Sequence, residues 1–464
     1  MNVTLRDYQE TGTSQVLDAY KQGFRAPLLV VPTGGGKTII FCYITERSSA
    51  KGKRVYILVH RQELLRQTSE KLDMFGVRHG CVAPGHSMTG DPVQVASVQT
   101  LVRRLDKFPE PNLIVVDEAH HATAGTWSKI LKQWPNALLL GVTATPIRLD
   151  GKGLGVKCGG FFDTLIEGPT TAELIQRGYL AEPVVYAPPT PLDLSQIKTI
   201  CGDWQKSELE KRVDKPTITG NAIEHYATIC PGVPAICFCV SVGHAEHVAQ
   251  EFKLAGWSAE SLDGTMADNM RKAKIQGLAS GKINVLTSCD IISEGTDIPV
   301  VGAAILLRPT KSLGLDLQQV GRCLRPYEGK KNAIILDHVG NCYRHGMPDD
   351  VRNWSLSGSL FVKKSKAETD PSLRIKQCEK CYAVYRAGSV ACPYCGHIQT
   401  TGREVEQVDG MLHQVTRGPK KPTVKPDHGE LGRLLNTCKK LGLPGDIAYR
   451  VALRREHKSW RQSL

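Results

Sequence analysis

Residues 25–47 read RAPLLVVPTGGGKTIIFCYITER, and the order of their parts decides the fold. Leu28–Val31 is a continuous apolar run of strand length. PTGGGKT, at 32–38, is a glycine-rich loop that ends in Lys37 and Thr38. IIFCYITER then reads as a helix. Strand, glycine loop, Lys-Thr and helix together make the setting of a nucleotide-phosphate loop. Gly34, Gly35 and Gly36, next to Thr33, let backbone N–H groups turn inward around phosphate oxygens. Lys37 brings a positive charge to the β and γ phosphates, and Thr38 brings a hydroxyl to Mg²⁺. Position 31 is Val where the eight-residue motif carries its first glycine.

The same rhythm continues outward. Val55–Val59, Leu113–Val116, Leu138–Val142, Ala235–Val240, Val285–Thr287, Ala303–Leu307 and Ile334–Leu336 are further short apolar runs. Such runs suit strands buried on both faces. Helix-like segments, Arg61–Phe75 and Gly243–Leu254 among them, lie between. The pattern predicts an α/β fold with parallel sheets. YAPPTPL at Tyr186–Leu192 carries three prolines and reads as an extended linker between two halves. The expected organisation is one domain over 1–187, a second over 188–350, a cysteine-rich module over 370–402 and a basic helical tail over 427–464.

LIVVDEAHH, at 113–121, is an apolar strand that ends in two carboxylates. In phosphoryl transfer Asp117 would hold Mg²⁺ and Glu118 would orient and deprotonate the attacking water.

These motifs stand in a familiar series. Gly34, Gly36, Lys37 and Thr38, then Asp117-Glu118-Ala119-His120 (a DEAH box), then Thr143-Ala144-Thr145-Pro146 resemble the superfamily 2 helicases. LRDYQ at Leu5–Gln9 looks like the adenine-reading element of that family. VHRQEL at Val59–Leu64 and SVQTL at Ser97–Leu101 look like its motifs Ia and Ib. ICFCVS at Ile236–Ser241 looks like motif IV, SEGTDIP at Ser293–Pro299 like motif V, and QQVGRCLR at Gln318–Arg325 like motif VI. The resemblance covers residues 1–345, and within the superfamily it is nearest the bacterial and phage RadD-type DNA repair ATPases. It implies two tandem RecA-like domains with ATP and Mg²⁺ between them. Arg322 and Arg325 would act as arginine fingers, and the spacing Q-x-x-G-R-x-x-R sets both on one helix face. Arg6 and Gln9 would read adenine. Thr143 and Thr145 would couple the nucleotide to the nucleic-acid groove, and Gly295 and Asp297 would sense ATP between the domains. The implied activity is that of a DNA helicase or translocase in repair, recombination or replication. An ATP-gated clamp or loader, or an RNA helicase, is the alternative. The expected partner is single-stranded or forked DNA, together with a repair or replication protein, and the expected state is a monomer.

CEKCYAVYRAGSVACPYC, at 378–395, is C-x₂-C-x₁₀-C-x₂-C. Two such pairs close a tetrahedral S₄ site that suits structural Zn²⁺, an Fe–S cluster being the alternative. Cys378, Cys381, Cys392 and Cys395 are the expected zinc ligands, in a folding role. Tyr382, Tyr385 and Arg386 lie between the pairs, where they either contact nucleic acid or form the ribbon's small core. Cys237 and Cys239 read as packing residues.

The charge is unevenly placed. The 464 residues carry 59 Lys+Arg and 46 Asp+Glu, a net +13. Residues 351–464 hold 21 basic and 10 acidic side chains, so +11 of that excess lies there, nearer +9 once a Zn(Cys)₄ site adds −2. Arg433, Lys439, Lys440, Arg450, Arg454, Arg455, Lys458 and Arg461 lie at its end, beside Trp460. The tail is expected to contact phosphates, or else to dock a partner protein. A hydrophobic fraction of 41% excludes global disorder. The absence of a signal-peptide pattern and of an 18-residue apolar run points to a cytoplasmic protein with reduced thiols and no membrane partner.

Overall fold

The structure, a computed structural model, describes residues 3–148, 152–188, 192, 194–200, 203–214, 216–289, 298, 300–357 and 375–398, with the backbone alone for 200 and 216–220. All belong to the first of two units, Met1–Thr400.

Seven strands form the first sheet: β1 (Pro27–Val30), β2 (Val55–Val59), β3 (Gly80–Val82), β4 (Val93–Ser97), β5 (Leu113–Asp117), β6 (Leu138–Thr143) and β7 (Thr164–Glu167). Their order is β3-β4-β2-β5-β6-β1-β7, and every pair is parallel. Alternate residues of each strand point to opposite faces. Leu29, Ile57, Val115 and Val142 accordingly pack with the helices Asp7–Lys21, Lys37–Ser49 and Gln62–Met74 on one side. Leu28, Tyr56, Ile114 and Val116 pack with Trp127 and Ile130 of the helix Gly125–Gln133 on the other. Each such fully buried side chain contributes about 1.5–3 kcal/mol. The strand order matters for the site: β6 lies between β1 and β5, so Thr143 sits between the phosphate loop and the acid box.

The second half contains β8 (Glu182–Tyr186), the hairpin β9 (Thr199–Ile200) and β10 (Asp203–Trp204), then β11 (Ala235–Phe238), β12 (Ala259–Leu262), β13 (Val285–Ser288), β14 (Ala303–Leu306), β15 (Asn332–Asp337), β16 (Ile375–Gln377) and β17 (Ala383–Arg386). The second sheet runs β12-β13-β11-β14-β15-β8-β17-β16. The joints up to β8 are parallel, and the last two are antiparallel. Ile236 and Phe238 face one core, and Ala235, Cys237 and Cys239 the other, so both cysteines are packing residues.

Two expectations about boundaries change. The first half was expected to extend to residue 187, yet β8 pairs along its whole length with β15 of the second sheet. Val185 joins that sheet's core, so burial assigns the strand to the second lobe. The cysteine module is also not a free appendage. β17 pairs with β8, and Val384 enters the second lobe's core. The strand covers an edge that would otherwise be open. Within the proline-rich stretch, 189–191 lie outside the described residues.

After the helix Asn341–His345 the chain crosses back to the first lobe. Leu356 packs against its second core cluster, and the Gly155 N–H donates to the Leu356 carbonyl at 2.9 Å. No helix among the described residues is long and apolar enough to cross a membrane.

Candidate nucleotide site between the lobes

The phosphate loop follows β1 directly. Gly34 (φ +85°) and Gly36 (φ +79°) take left-handed backbone, which glycine adopts without a Cβ penalty. Gly36 caps the helix Lys37–Ser49, so the unsatisfied N–H groups of its first turn open onto the loop. One wall comes from the N-terminal helix. The Tyr8 hydroxyl donates to the Gly35 carbonyl at 3.1 Å. Gln9 Nε2 lies against Gly36, where an added Cβ has no room, and Gln9 Oε1 accepts the Arg6 N–H at 2.9 Å. The Arg6 guanidinium lies over the Tyr179 ring, 4.2 Å from its centroid. Tyr8 and Tyr179 were not singled out in the sequence; Tyr8 stands beside Gln9 in LRDYQ, and Tyr179 carries no such marker.

The acid box terminates β5. Glu118 has φ +51°, an outlier for a residue with a side chain, and its N–H donates to Asp117 Oδ1 at 3.0 Å. Asp117 is buried. Burial, and then the neighbouring Glu118 charge, push its carboxyl above the usual range, against the pull of Lys37. Glu118 Oε2 is buried and has no hydrogen-bond partner among the described residues; His120 Nδ1 stands 3.6 Å away. His120 Nδ1 is also 3.2 Å from Thr143 Oγ1, which accepts the Thr145 N–H at 3.2 Å. One chain of contacts therefore joins the acid box to the Thr-Ala-Thr segment. Val59 and Ser97 are register partners on β2 and β4, so the segments that follow them, VHRQEL and SVQTL, lie side by side.

The second lobe closes on this surface. Ser312 Oγ caps the helix Leu313–Gly321 by accepting the Leu315 N–H at 3.1 Å. A Cβ built on Gly321 would lie 2.5 Å from the Thr33 Cβ, and one on Gly314 would lie 3.1 Å from Thr145 Oγ1. A Cβ on Gly34 would stand 3.5 Å from Arg325 Cγ. Arg322 is buried and Arg325 half-buried. The two do not share a helix face, as the spacing suggested. The helix ends at Gly321, Arg322 caps it, and Arg325 lies in a bend beyond it. Pro326 disfavours helical backbone at the residue before it. Gly295 and Asp297, with most of SEGTDIP, lie outside the described residues.

The residues present fit a magnesium nucleotide. A helix N-terminus and glycine loop form an anion cradle. Asp117 lies within the field of the loop's lysine, Glu118 follows it directly with Oε2 free of hydrogen bonds, and Arg325 approaches Gly34 from the opposite lobe. Bound there, Mg²⁺–ATP supplies an electrophilic γ-phosphoryl group.

The four cysteines converge. Their Sγ atoms all lie within 4.8 Å of one another, with Cys378–Cys395 and Cys381–Cys392 each 3.6 Å apart. A tetrahedron with Zn–S bonds of about 2.3 Å has S···S edges of about 3.8 Å. The two knuckles repeat each other. Tyr382 N–H donates to the Cys378 carbonyl and Gly396 N–H to the Cys392 carbonyl, both at 2.9 Å. Tyr385 is buried among the cysteines, whereas Tyr382 is 61% exposed. Arg386 pairs with Asp350 at 2.7 Å and Asp349 at 3.4 Å, which holds the ribbon to the second lobe. The basic residues from Arg433 to Arg461, with the rest of the expected 427–464 tail, lie outside the described residues.

Two lobes on largely parallel sheets, with a phosphate loop and an acid box on one and the helix that ends at Gly321 on the other, define a tandem RecA-like core. Comparisons agree. Residues 2–148 match the family described as type III restriction enzyme, res subunit, and residues 221–327 match the helicase conserved C-terminal domain. A 51.5 kDa protein of a Lactococcus phage (isolate 7-9) is 34% identical over 79% of this chain and 76% of its own length. Proteins of Saccharomyces cerevisiae and Schizosaccharomyces pombe, named as the helicase IRC3, are 30% and 31% identical over 72% and 78% of this chain, which spans 51% and 62% of their lengths. A fragment of an HsdR subunit of a type I restriction enzyme from Vibrio vulnificus YJ016 shares the fold, with TM-score 0.59, 20% identity and coverage of 75% of this chain and 67% of that one. The chain belongs to the superfamily 2 helicases. It is an ATP-hydrolysing enzyme of that group.

Proposed function

We propose that this protein is a DNA-dependent ATPase, near the RadD-type repair enzymes, that moves on or remodels DNA. The observation that carries the reading is the contact of Gly321 with Thr33, which makes the nucleotide site a property of two closed lobes. Lys37 and the loop N–H groups bind the β and γ phosphates, and Thr38 and Asp117 hold Mg²⁺. Glu118 takes the proton of the attacking water. Arg322 and Arg325 reach the γ-phosphate from the opposite lobe, where charge develops in the transition state. Arg6 and Gln9 meet the adenine edge. Because the arginines and the acids lie on different lobes, turnover requires closure, and product release allows opening. That cycle supplies the relative motion a translocase needs.

The match over 2–148 to a restriction-enzyme family supports DNA as the track. The ribbon at Cys378–Cys395 holds Zn²⁺ in a purely structural role: four thiolates leave no open position.

The test is the ATP hydrolysis rate with single-stranded, duplex and forked DNA and with RNA at matched salt. Stimulation by DNA well above RNA is expected. Stimulation by RNA alone contradicts the DNA assignment. A strand-displacement assay on the same forked substrate separates a translocase from an ATP-gated clamp.

A further inference from the structure

Between the two arginines lie Cys323 and Leu324, and the carbonyls from 323 to 325 are all tied down. The Leu324 carbonyl accepts the Ala181 N–H at 2.7 Å. The other two meet one side chain. In the turn that follows, Gly329 takes φ +81°, and the Lys330 N–H donates to the Tyr327 carbonyl at 3.1 Å. This turn directs Lys330 back beneath the arginine segment. Its Nζ donates to the Arg325 and Val301 carbonyls, each at 2.8 Å, and to the Cys323 carbonyl. An ammonium has three protons, and here it meets three carbonyl acceptors. Among the described residues no carboxylate pairs with it. A partly buried ammonium held by backbone carbonyls and an aromatic ring, with no carboxylate, carries a desolvation cost that these contacts must offset.

We propose that Lys330 is the positioning residue of the arginine segment: its ammonium clamps the carbonyls on either side of Leu324 to Val301, at the foot of β14, and so fixes where Arg322 and Arg325 project. The proposal rests on the reading of those arginines as acting on the nucleotide. It goes beyond that reading by naming what aims them. Burial lowers the Lys330 pKa to about 8; Cys323 opposes that fall, and the nearby Arg325 adds to it by less than Cys323 takes away. The other groups facing the ammonium stay neutral there. The Cys323 thiol is pushed up to about 11 by burial, and the Tyr327 ring, 5.2 Å from Nζ, has its hydroxyl pKa raised by burial as well. Loss of the third proton removes one of the three clamps while leaving the fold's other bonds in place.

The experiment measures kcat, the KM for ATP and thermal unfolding for Lys330→Met, Lys330→Arg and Arg325→Lys, from pH 6.5 to 9.5. A misplaced reacting group costs roughly 100-fold without changing ground-state binding. Lys330→Met should lose ten- to a hundredfold in kcat, with KM within about threefold of wild type. The wild-type kcat should fall as pH rises through about 8, and Lys330→Arg, which keeps its charge, should lack that alkaline limb while retaining most of the rate. Lys330→Met with kcat within twofold of wild type overturns the proposal, and so does an unchanged alkaline limb in Lys330→Arg, which remains decisive if the Met variant unfolds. If Arg325→Lys keeps full turnover, the arginine reading itself fails. If Arg325→Lys is dead and Lys330→Met is normal, only the positioning inference fails.

Discussion

Gly321 abuts Thr33 across the lobe interface, with room for no Cβ between them. In ordinary helical backbone, Gly→Ala is favourable by about 0.8–1 kcal/mol. Any damage from Gly321→Ala must therefore come through Thr33. The variant should fold as well as the wild type by thermal unfolding, yet lose at least tenfold in kcat because the lobes no longer seat. A fully active Gly321→Ala enzyme would show that the contact plays no part in turnover.

The ribbon is built into the second sheet through β17 and β8, so its metal should matter well beyond its own 24 described residues. Metal analysis should find one zinc per chain. Chelation, or Cys392→Ala, should lower the thermal midpoint of the whole second lobe, because Val384 is part of that core. Chelation that removes zinc and leaves the midpoint unmoved would separate the ribbon from the lobe's stability.

Tyr382 occupies the position that Gly396 holds in the second knuckle, at φ +61° and largely exposed. A side chain in left-handed backbone costs about 1–2 kcal/mol. Tyr382→Gly should therefore stabilise the ribbon by about 1 kcal/mol. If the ring stacks on a base, the same change should weaken single-stranded DNA binding by an amount worth about 1–3 kcal/mol. Titration of labelled DNA at fixed salt checks this, and unchanged affinity removes the stacking role.

Asp316 gives a pH dependence. It is buried on the helix that carries Gly321; burial, and then Asp337, raise its pKa to about 7, against Arg352, Asn341 and Arg344. The unfolded chain releases that proton near pH 4, whereas the folded protein keeps it until about pH 7. Stability should thus fall as pH rises from about 4 to 7, with a slope of at most about 1.4 kcal/mol per unit. Asp316→Asn should flatten the slope in a series of thermal melts; an unchanged slope assigns it to other groups.

The motor core was legible because its chemistry is local. The phosphate loop and the acid box each sit at the end of one apolar run, Q-x-x-G-R-x-x-R runs off the end of the helix Leu313–Gly321, and β1, β2, β5, β6, β11, β13, β14 and β15 are all such runs. What the sequence hid was decided by distant pairing. Glu182–Tyr186 is as short as any linker until β15 takes it as a partner. Ala383–Arg386 looks like ribbon until it meets β8. The arginine geometry depended on a helix that stops at Gly321 where the spacing alone would continue it, with Pro326 keeping Arg325 out of helical backbone. Lys330 looked like one basic residue among many, since its three acceptors are backbone carbonyls that leave no mark in the sequence.

The most direct test of the central claim, ATP hydrolysis by carboxylates of one lobe and arginines of the other, is steady-state phosphate release by Glu118→Gln with saturating DNA. The substitution keeps shape and removes the base. The account predicts turnover reduced at least a hundredfold, with ATP binding retained. Turnover at the wild-type rate would contradict it.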